Sequence, residues 1–129
     1  MTTATPFLMF QGQAQAAMDF YAATLPNTQV VSVERHGGTT ATGGTVKLAR
    51  LSVCGREFLV SDSPVRHAFD FTPACSIFVD CTTPDEQQRL FDALADGGGV
   101  LMPLNDYGFS QRFGWLADRF GVSWQINLP

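Results

Sequence analysis

The two halves of this 129-residue chain show the same order of predicted elements: one strand, one helix and three further strands. In the first half, the short apolar run Phe7–Phe10 predicts a buried strand. Apolar residues at helical spacing over 13–25 predict a helix, which ends before Pro26. Strand patterns follow at 30–35, 46–53 and 57–61, after which the order begins again.

The second half opens with an apolar strand at 74–81. The helix after it carries a strong start signal, because Thr83 can cap, Pro84 suits the first helical position, and Glu86 can complete a capping box. Gly97 is expected to end this helix. Three strands complete the half, at 100–104, 113–117 and 122–128.

A helix follows only the first strand of each half, which argues against a doubly wound parallel sheet. The pattern instead predicts an α+β fold made of two βαβββ modules with mostly antiparallel half-sheets. We expect a single domain over residues 1–129. Module one covers about 5–62, the segment 63–73 is the linker, and module two covers about 74–129.

Composition and charge exclude several partners. The formal net charge is −4, and no cluster of three or more Lys or Arg occurs, so no nucleic-acid partner is expected. No apolar run approaches the roughly 20 residues that span a bilayer, so no membrane partner is expected. The N-terminal segment has neither a basic region nor a long apolar stretch, so no signal peptide is expected.

The three cysteines predict free thiols. No two of them form a C-x-x-C pair. Cys75 and Cys81 are predicted to lie about 20 Å apart along one strand, too far for a disulfide. Free thiols are typical of a reducing compartment, so a cytoplasmic location is expected.

Three groups of segments carry a resemblance that covers nearly the whole chain. They are Pro6-Phe7-Leu8-Met9-Phe10 with Ala17-Met18-Asp19-Phe20-Tyr21, then Asp62-Ser63-Pro64, and finally Asp106 to Ser110, Arg112 to Trp115 and Asp118 to Gln125. In these segments the chain resembles the vicinal-oxygen-chelate superfamily, which includes glyoxalases, bleomycin-resistance proteins and extradiol dioxygenases. Within that superfamily it resembles the PhnB-like branch. Members of this branch often carry the name 3-demethylubiquinone-9 3-methyltransferase.

The resemblance implies a cupped mixed sheet, a homodimer whose modules pair across subunits, and a divalent metal held from the first and last strands of the modules. The corresponding positions here are Pro6, Leu59, Ala74 and Gln125. Three apolar residues and a neutral amide are not the imidazole, thiolate or carboxylate ligands that such metals need. We therefore expect no metal and no cofactor.

The last strand supplies the first candidate binding residue. Its apolar residues alternate with Ser123, Gln125 and Asn127, which should share one face. That polar face is either simply solvated or lines a small-molecule pocket containing Gln125. The resemblance favours the pocket.

The segment before the last strand supplies four more candidates, Asp106, Tyr107, Arg112 and Trp115. Aromatic rings with a few convergent polar groups are typical of a small-molecule site. The alternative is a tight hairpin that packs at a dimer interface, where Tyr, Trp and Arg are also enriched.

Arg50 lies in an apolar strand and is open to two interpretations. It forms a cross-strand ion pair with Glu34, or it binds an anion in the cleft of the cupped sheet. We expect Arg50, Arg112, Trp115 and Gln125 to line one cleft, which would suit a small organic anion.

The methyltransferase name finds no support in the residues. An adenosylmethionine enzyme of the common type needs a parallel sheet with a glycine-rich turn, and Gln11-Gly12-Gln13 offers one glycine. The sequence favours a metal-free protein that binds an unknown small molecule. The alternatives are an enzyme acting on a small oxygenated or quinone-like substrate, including that methyltransferase, and a dimeric scaffold without a ligand.

Overall fold

The computed structural model describes residues 1–37 and 44–129. They form two compact units, Met1–His67 and Ala68–Pro129. The boundary falls inside the predicted linker segment, so Ser63 to His67 belong with the first unit. Most of the glycine-rich loop predicted at 36–44 lies outside the described residues.

The first unit has five elements. They are β1 (Phe7–Phe10), α1 (Ala14–Thr24), β2 (Gln29–Arg35), β3 (Val46–Val53) and β4 (Arg56–Asp62). The sheet order is β1-β4-β3-β2; β1 and β4 are parallel, and the other neighbours are antiparallel. Cys54 and Gly55 both have positive φ between β3 and β4, which suits the backbone twist of a tight hairpin.

The second unit repeats this topology. Its elements are β5 (Ser76–Asp80), α2 (Pro84–Ala95), β6 (Gly99–Asn105), β7 (Arg112–Ala117) and β8 (Ser123–Leu128). The sheet order is β5-β8-β7-β6, with β5 parallel to β8. The predicted α+β fold of two βαβββ modules is therefore confirmed.

The start of α2 follows its sequence signal with one difference. Thr83 Oγ1 accepts from the Glu86 N–H at 3.1 Å, as an N-cap should. The Glu86 carboxylate accepts from the N–H of Thr82, at 3.0 Å, rather than from Thr83 itself. Both bonds satisfy donors near the helix start, so the helix begins at Pro84 as predicted.

Each helix covers one face of its own sheet. In the second unit, Leu90, Phe91 and Leu94 of α2 are buried, as are Leu116 and Trp124 of the sheet. An added Cβ on Gly114 of β7 would lie 2.5 Å from Phe91 Cε2, so only glycine allows α2 to approach β7 this closely.

Neither α1 nor α2 is long and apolar enough to cross a membrane, and no other α-helix occurs in the described residues.

Candidate functional site

The face of the second sheet that lies away from α2 carries aromatic and polar side chains in three rows across β5, β8 and β7. We call it the aromatic face. Its rows are Ser76–Ser123–Ala117, Phe78–Gln125–Trp115 and Asp80–Asn127–Phe113. Strand alternation brings these residues together, because their neighbours in each strand point toward the helix.

The first row fixes the indole of Trp115. Trp115 Nε1 donates to Ser123 Oγ at 2.8 Å, and Ser123 Oγ lies 2.6 Å from Ser76 Oγ. An indole N–H can only donate, so Ser123 Oγ accepts from Trp115, and either serine can be the donor in the bond between the two hydroxyl groups. Ser76 Oγ in turn lies 3.4 Å from the Pro73 carbonyl oxygen, which can accept its proton. This chain of bonds fixes the ring before any ligand arrives.

The third row is also fixed by hydrogen bonds. Asn127 Nδ2 donates to Asp80 Oδ1 at 2.9 Å, and Asn127 Oδ1 accepts from the Ser110 hydroxyl at 2.6 Å. Both ends of the amide are therefore engaged. Phe113 is buried beside it, and the ring of Phe109 packs edge-on against Phe113 with centroids 5.0 Å apart.

The middle row contains a neutral amide, that of Gln125, between two aromatic rings. Gln125 is half-buried between Phe78 and Trp115, and its side-chain amide makes no hydrogen bond within residues 1–37 and 44–129. Phe78 is 52% exposed, so one aromatic wall of this position is accessible. A primary amide can both donate and accept, so Gln125 offers a ligand both kinds of hydrogen bond.

Arg112 lies on the opposite face of the sheet. Its Nε donates to Gln87 Oε1 at 2.7 Å, and its Nη2 donates to the Pro84 carbonyl oxygen at 3.0 Å. Arg112 has the strand parity of Gly114, which lies under α2. The expectation that Arg112 lies in a cleft beside Trp115 and Gln125 is corrected: Arg112 attaches the start of α2 to β7.

Tyr107 and Asp106 lie in the loop before β7. The Tyr107 ring stands edge-on to Phe113 at 6.1 Å, at the border of the aromatic face, and its hydroxyl donates to the Pro103 carbonyl oxygen at 2.6 Å. Asp106 Oδ1 accepts from the Gly108 N–H at 2.8 Å and so shapes the turn of the loop.

Arg50 belongs to the first unit and has a different partner from the one expected. Its guanidinium lies 3.1 Å from the Glu57 carboxylate on β4, while Glu34 stands opposite Leu48 in the register. The side chains of Arg50 and Glu57 are 48% and 47% exposed, and such pairs contribute at most about 1 kcal/mol. That Arg50 shares a cleft with second-unit residues stays a prediction.

The four positions corresponding to metal ligands do not offer a suitable set of donors. In the first sheet the neighbour of Leu59 on β1 is Phe7 rather than Pro6. In the second sheet the neighbour of Gln125 on β5 is Phe78, because Ala74 lies before the strand begins. Two phenyl rings, an isobutyl group and one neutral amide do not fit a divalent metal. The described residues contain no group of three or more His, Cys, Asp or Glu placed to hold one.

The motif 118–125, which carries the most specific part of the resemblance, builds the β7–β8 hairpin. Asp118 is buried, and its Oδ1 accepts from the N–H groups of Phe120 and Val122 at 2.8 and 3.1 Å. Its Oδ2 accepts from Trp124 Nε1 at 2.8 Å, and Gly121 takes a positive φ in the turn. The motif thus positions β8, and with it Gln125.

Sequence reasoning missed Phe78, Phe113 and Asp80 as members of this face. A sequence signal was present for Phe78, because it alternates with the apolar residues Ile77 and Val79 of its own strand. No local pattern indicated that Ser110 reaches Asn127, since that bond joins residues 17 positions apart through a loop.

Two units of βαβββ topology, each a mixed four-stranded sheet with one helix, define the class of the fold. A glyoxylase/bleomycin resistance protein/dioxygenase domain from Frankia sp. EAN1pec shares this fold, with 13% identity over 99% of this chain and 97% of that chain and a TM-score of 0.71. The fold is therefore that of the glyoxylase/bleomycin resistance protein/dioxygenase domain, as expected.

The family follows from closer matches. A family model described as 3-demethylubiquinone-9 3-methyltransferase matches residues 2–127, and the chain belongs to this PhnB-like family. A PhnB protein from Bacillus cereus with the same methyltransferase name is 44% identical over 99% of this chain and 100% of that chain, with a TM-score of 0.93. Protein YjdN of Escherichia coli (strain K12) is 25% identical over 138 residues, covering 96% of this chain and 93% of YjdN.

Proposed function

We propose that this chain is a metal-free protein that binds a small molecule on the aromatic face of its second sheet, as a homodimer in the cytoplasm. The observation that carries the proposal is the amide of Gln125, which lies between Phe78 and the fixed indole of Trp115. A few oriented polar groups among aromatic walls are what a small-molecule site requires.

The fixed geometry of the face favours binding. Trp115 and Asn127 are each held by hydrogen bonds to neighbouring side chains, so ordering them on binding costs little entropy. Burial of aromatic surface against a flat ligand contributes about 25 cal/mol per Å² of apolar area. The exposed ring of Phe78 supplies such area on one side of Gln125.

Binding fits this face better than catalysis. Asp80 is the only ionisable group among its nine residues, and one of its carboxylate oxygens already accepts from Asn127. General acid–base chemistry needs a titratable group within hydrogen-bond reach of the reacting atom. The middle row, where a ligand would contact Gln125, contains two aromatic rings and a neutral amide.

The second candidate function is an enzyme on a quinone-like substrate, including the methyltransferase of the family name, which matches residues 2–127. A planar ring with oxygen substituents would suit the pairing of aromatic walls with the Gln125 amide. Two features of the first unit oppose a nucleotide-type cofactor there. Its sheet is mixed, and the Asp62 carboxylate already accepts from Gly12 N–H and Ala14 N–H at the start of α1.

Native mass spectrometry of protein purified without chelators tests the metal-free and dimer parts of the proposal together. The expected result is a dimer mass without a stoichiometric metal, supported by elemental analysis. About one divalent metal ion per chain would overturn the metal-free assignment. A monomer at working concentration would overturn the dimer.

The binding site is tested with ¹H–¹⁵N spectra during titration with a fragment collection of anionic, neutral and cationic rings. The two tryptophans make this test specific: Trp115 lies on the aromatic face, whereas Trp124 is fully buried and bonded to Asp118. Fragments that bind should shift the Trp115 indole signal and the Gln125 amide pair and leave the Trp124 indole in place. Fragments that shift neither Trp115 nor Gln125 would contradict the proposed site.

Methyl transfer is tested separately by titration with adenosylmethionine in a calorimeter and by incubation with a demethylated quinone. Weak or absent binding is expected. Micromolar binding together with methyl transfer would establish the second candidate function instead.

A further inference from the structure

We infer that the aromatic face selects flat ring ligands without a negative charge, neutral or cationic, and rejects organic anions. The inference rests on the proposed function, and it differs from the organic anion expected from the sequence, an expectation that depended in part on Arg112. It follows from where the charges of the second unit lie.

None of the cations of the second unit lies on the aromatic face. Residues 68–129 contain three arginines and neither Lys nor His. Arg112 is bonded to Gln87 and Pro84 under the start of α2, and Arg119 pairs with Asp96 at 3.4 Å. Arg89 is exposed on α2, next to buried Leu90, so it points away from the sheet. A carboxylate or sulfonate on the aromatic face would therefore find no cation from this unit.

The second unit as a whole carries an excess of negative charge. Residues 68–129 carry eight Asp or Glu against the three arginines, a formal net charge of −5 within a chain whose total is −4. Asp80, one row from Gln125, contributes a negative charge to the face itself. The charge of Asp80 repels an anion and attracts a cation on this face, and the face of an aromatic ring adds its own negative potential.

The polar requirement of the ligand follows from Gln125. Its amide is neutral and uses neither its donors nor its acceptor within the described residues. It can match a hydroxyl, a carbonyl or an ammonium group at the edge of a ring lying between Phe78 and Trp115. Its N–H₂ group can donate to an anion but supplies no positive charge, so an anion here forms no ion pair that offsets its desolvation.

Three probes that share one ring test the inference: 2-naphthol, 2-naphthylmethylammonium and 2-naphthoate at neutral pH. Each is titrated into the full chain, and the Trp115 and Trp124 indole signals are followed. The first two should shift Trp115 at concentrations about tenfold lower than naphthoate, the size expected for one like charge a few ångströms away in a partly exposed site. Equal or tighter binding of naphthoate would overturn the inference.

Charge variants give a second, independent test. Gln125→Lys places a cation in the middle row and should raise naphthoate affinity about tenfold while lowering that of the ammonium probe. Asp80→Asn keeps an oxygen that can accept from Asn127 and should lower ammonium affinity about two- to fivefold, with a smaller effect on naphthol affinity. Asp92→Asn, on the exposed side of α2, removes the same charge away from the face and should change neither.

The outcomes separate the two proposals. If none of the three probes shifts Trp115, the binding site itself is contradicted, and the inference fails with it. If naphthoate shifts Trp115 as readily as naphthol, the site stands and the charge selection is wrong. An Asp92→Asn effect equal to that of Asp80→Asn would also contradict the inference, because selection would then come from total charge rather than from the face.

Discussion

The indole N–H of Trp115 donates to the Ser123 hydroxyl at 2.8 Å, across the pair of strands β7 and β8. Ser123 is 1% exposed, so this bond is shielded from water. A buried bond of this kind fixes the plane of the indole and leaves its face, rather than its N–H edge, for contact with a ligand. The orientation of the main aromatic wall therefore depends on one serine.

Replacing Ser123 should make the Trp115 ring more mobile. Ser123→Ala leaves the Trp115 N–H without its acceptor, and we expect a loss of about 1–2 kcal/mol in the free energy of unfolding. We also expect weaker binding of 2-naphthol and faster hydrogen exchange at the Trp115 indole. Denaturant titration, probe titration and exchange rates measure the three effects.

Ser76→Ala is the matched control for that change. It removes the Ser76 hydroxyl that is bonded to Ser123 but keeps the bond from Trp115, so its effect on indole exchange should be small. Equal indole exchange rates in the two variants would show that Ser123 does not hold the ring.

The buried carboxylate of Asp118 gives a stability prediction. Asp118→Asn keeps an oxygen for the N–H groups of Phe120 and Val122 but places an amide N–H₂ against the indole N–H of Trp124. Two donors then face each other in the core, and we expect a loss of about 2–3 kcal/mol in unfolding free energy. Thermal and denaturant unfolding measure it.

Asp106→Asn is the control for Asp118→Asn. Asp106 accepts one exposed backbone N–H in a turn, which an asparagine oxygen accepts equally well. The control should stay within about 0.5 kcal/mol of the parent. A similar cost in both variants would contradict a special role for Asp118.

Close packing under α2 gives a third prediction. Gly114→Ala places a methyl carbon 2.5 Å from Phe91 Cε2 and 2.8 Å from Leu104 Cδ2, so both side chains must move. Overpacking of this kind should cost about 1–3 kcal/mol. Gly99→Ala, with nothing within 4 Å of the new methyl, should cost much less.

A second substitution tests the cause of the Gly114→Ala cost. Phe91→Leu shortens the ring that the new methyl meets, so the double variant should lose less than the sum of the single variants. Strict additivity, measured by a double-mutant cycle, would mean that the contact with Phe91 is not the source.

Local patterns in the sequence predicted the order of the elements well and the site only in part. The Thr83 cap and the alternation along 122–128 are signals within a few residues, and the structure has both. The shared face of Gln125 and Trp115 could be predicted from the sequence, because alternation along each strand is a local pattern. Alternation along β7 also places Arg112 on the opposite face from Trp115, but an arginine suggested ligand binding. The bond from Arg112 to Gln87 could not be predicted, because it depends on how α2 packs on the sheet.

The place of Arg112 leads to the last prediction. Arg112→Ala should lower the free energy of unfolding by about 1–3 kcal/mol, because Gln87 is fully buried and its Oε1 loses the Nε donor of Arg112. The same variant should leave 2-naphthol affinity unchanged, since the guanidinium lies on the far face from Trp115 and Gln125. Thermal unfolding and probe titration are measured on the same preparation.

Arg89→Ala, on the exposed side of α2, controls for loss of a positive charge and should change neither quantity. A stable Arg112→Ala variant that no longer binds the probe would restore Arg112 to the binding site, and the proposed arrangement of the aromatic face would then be wrong.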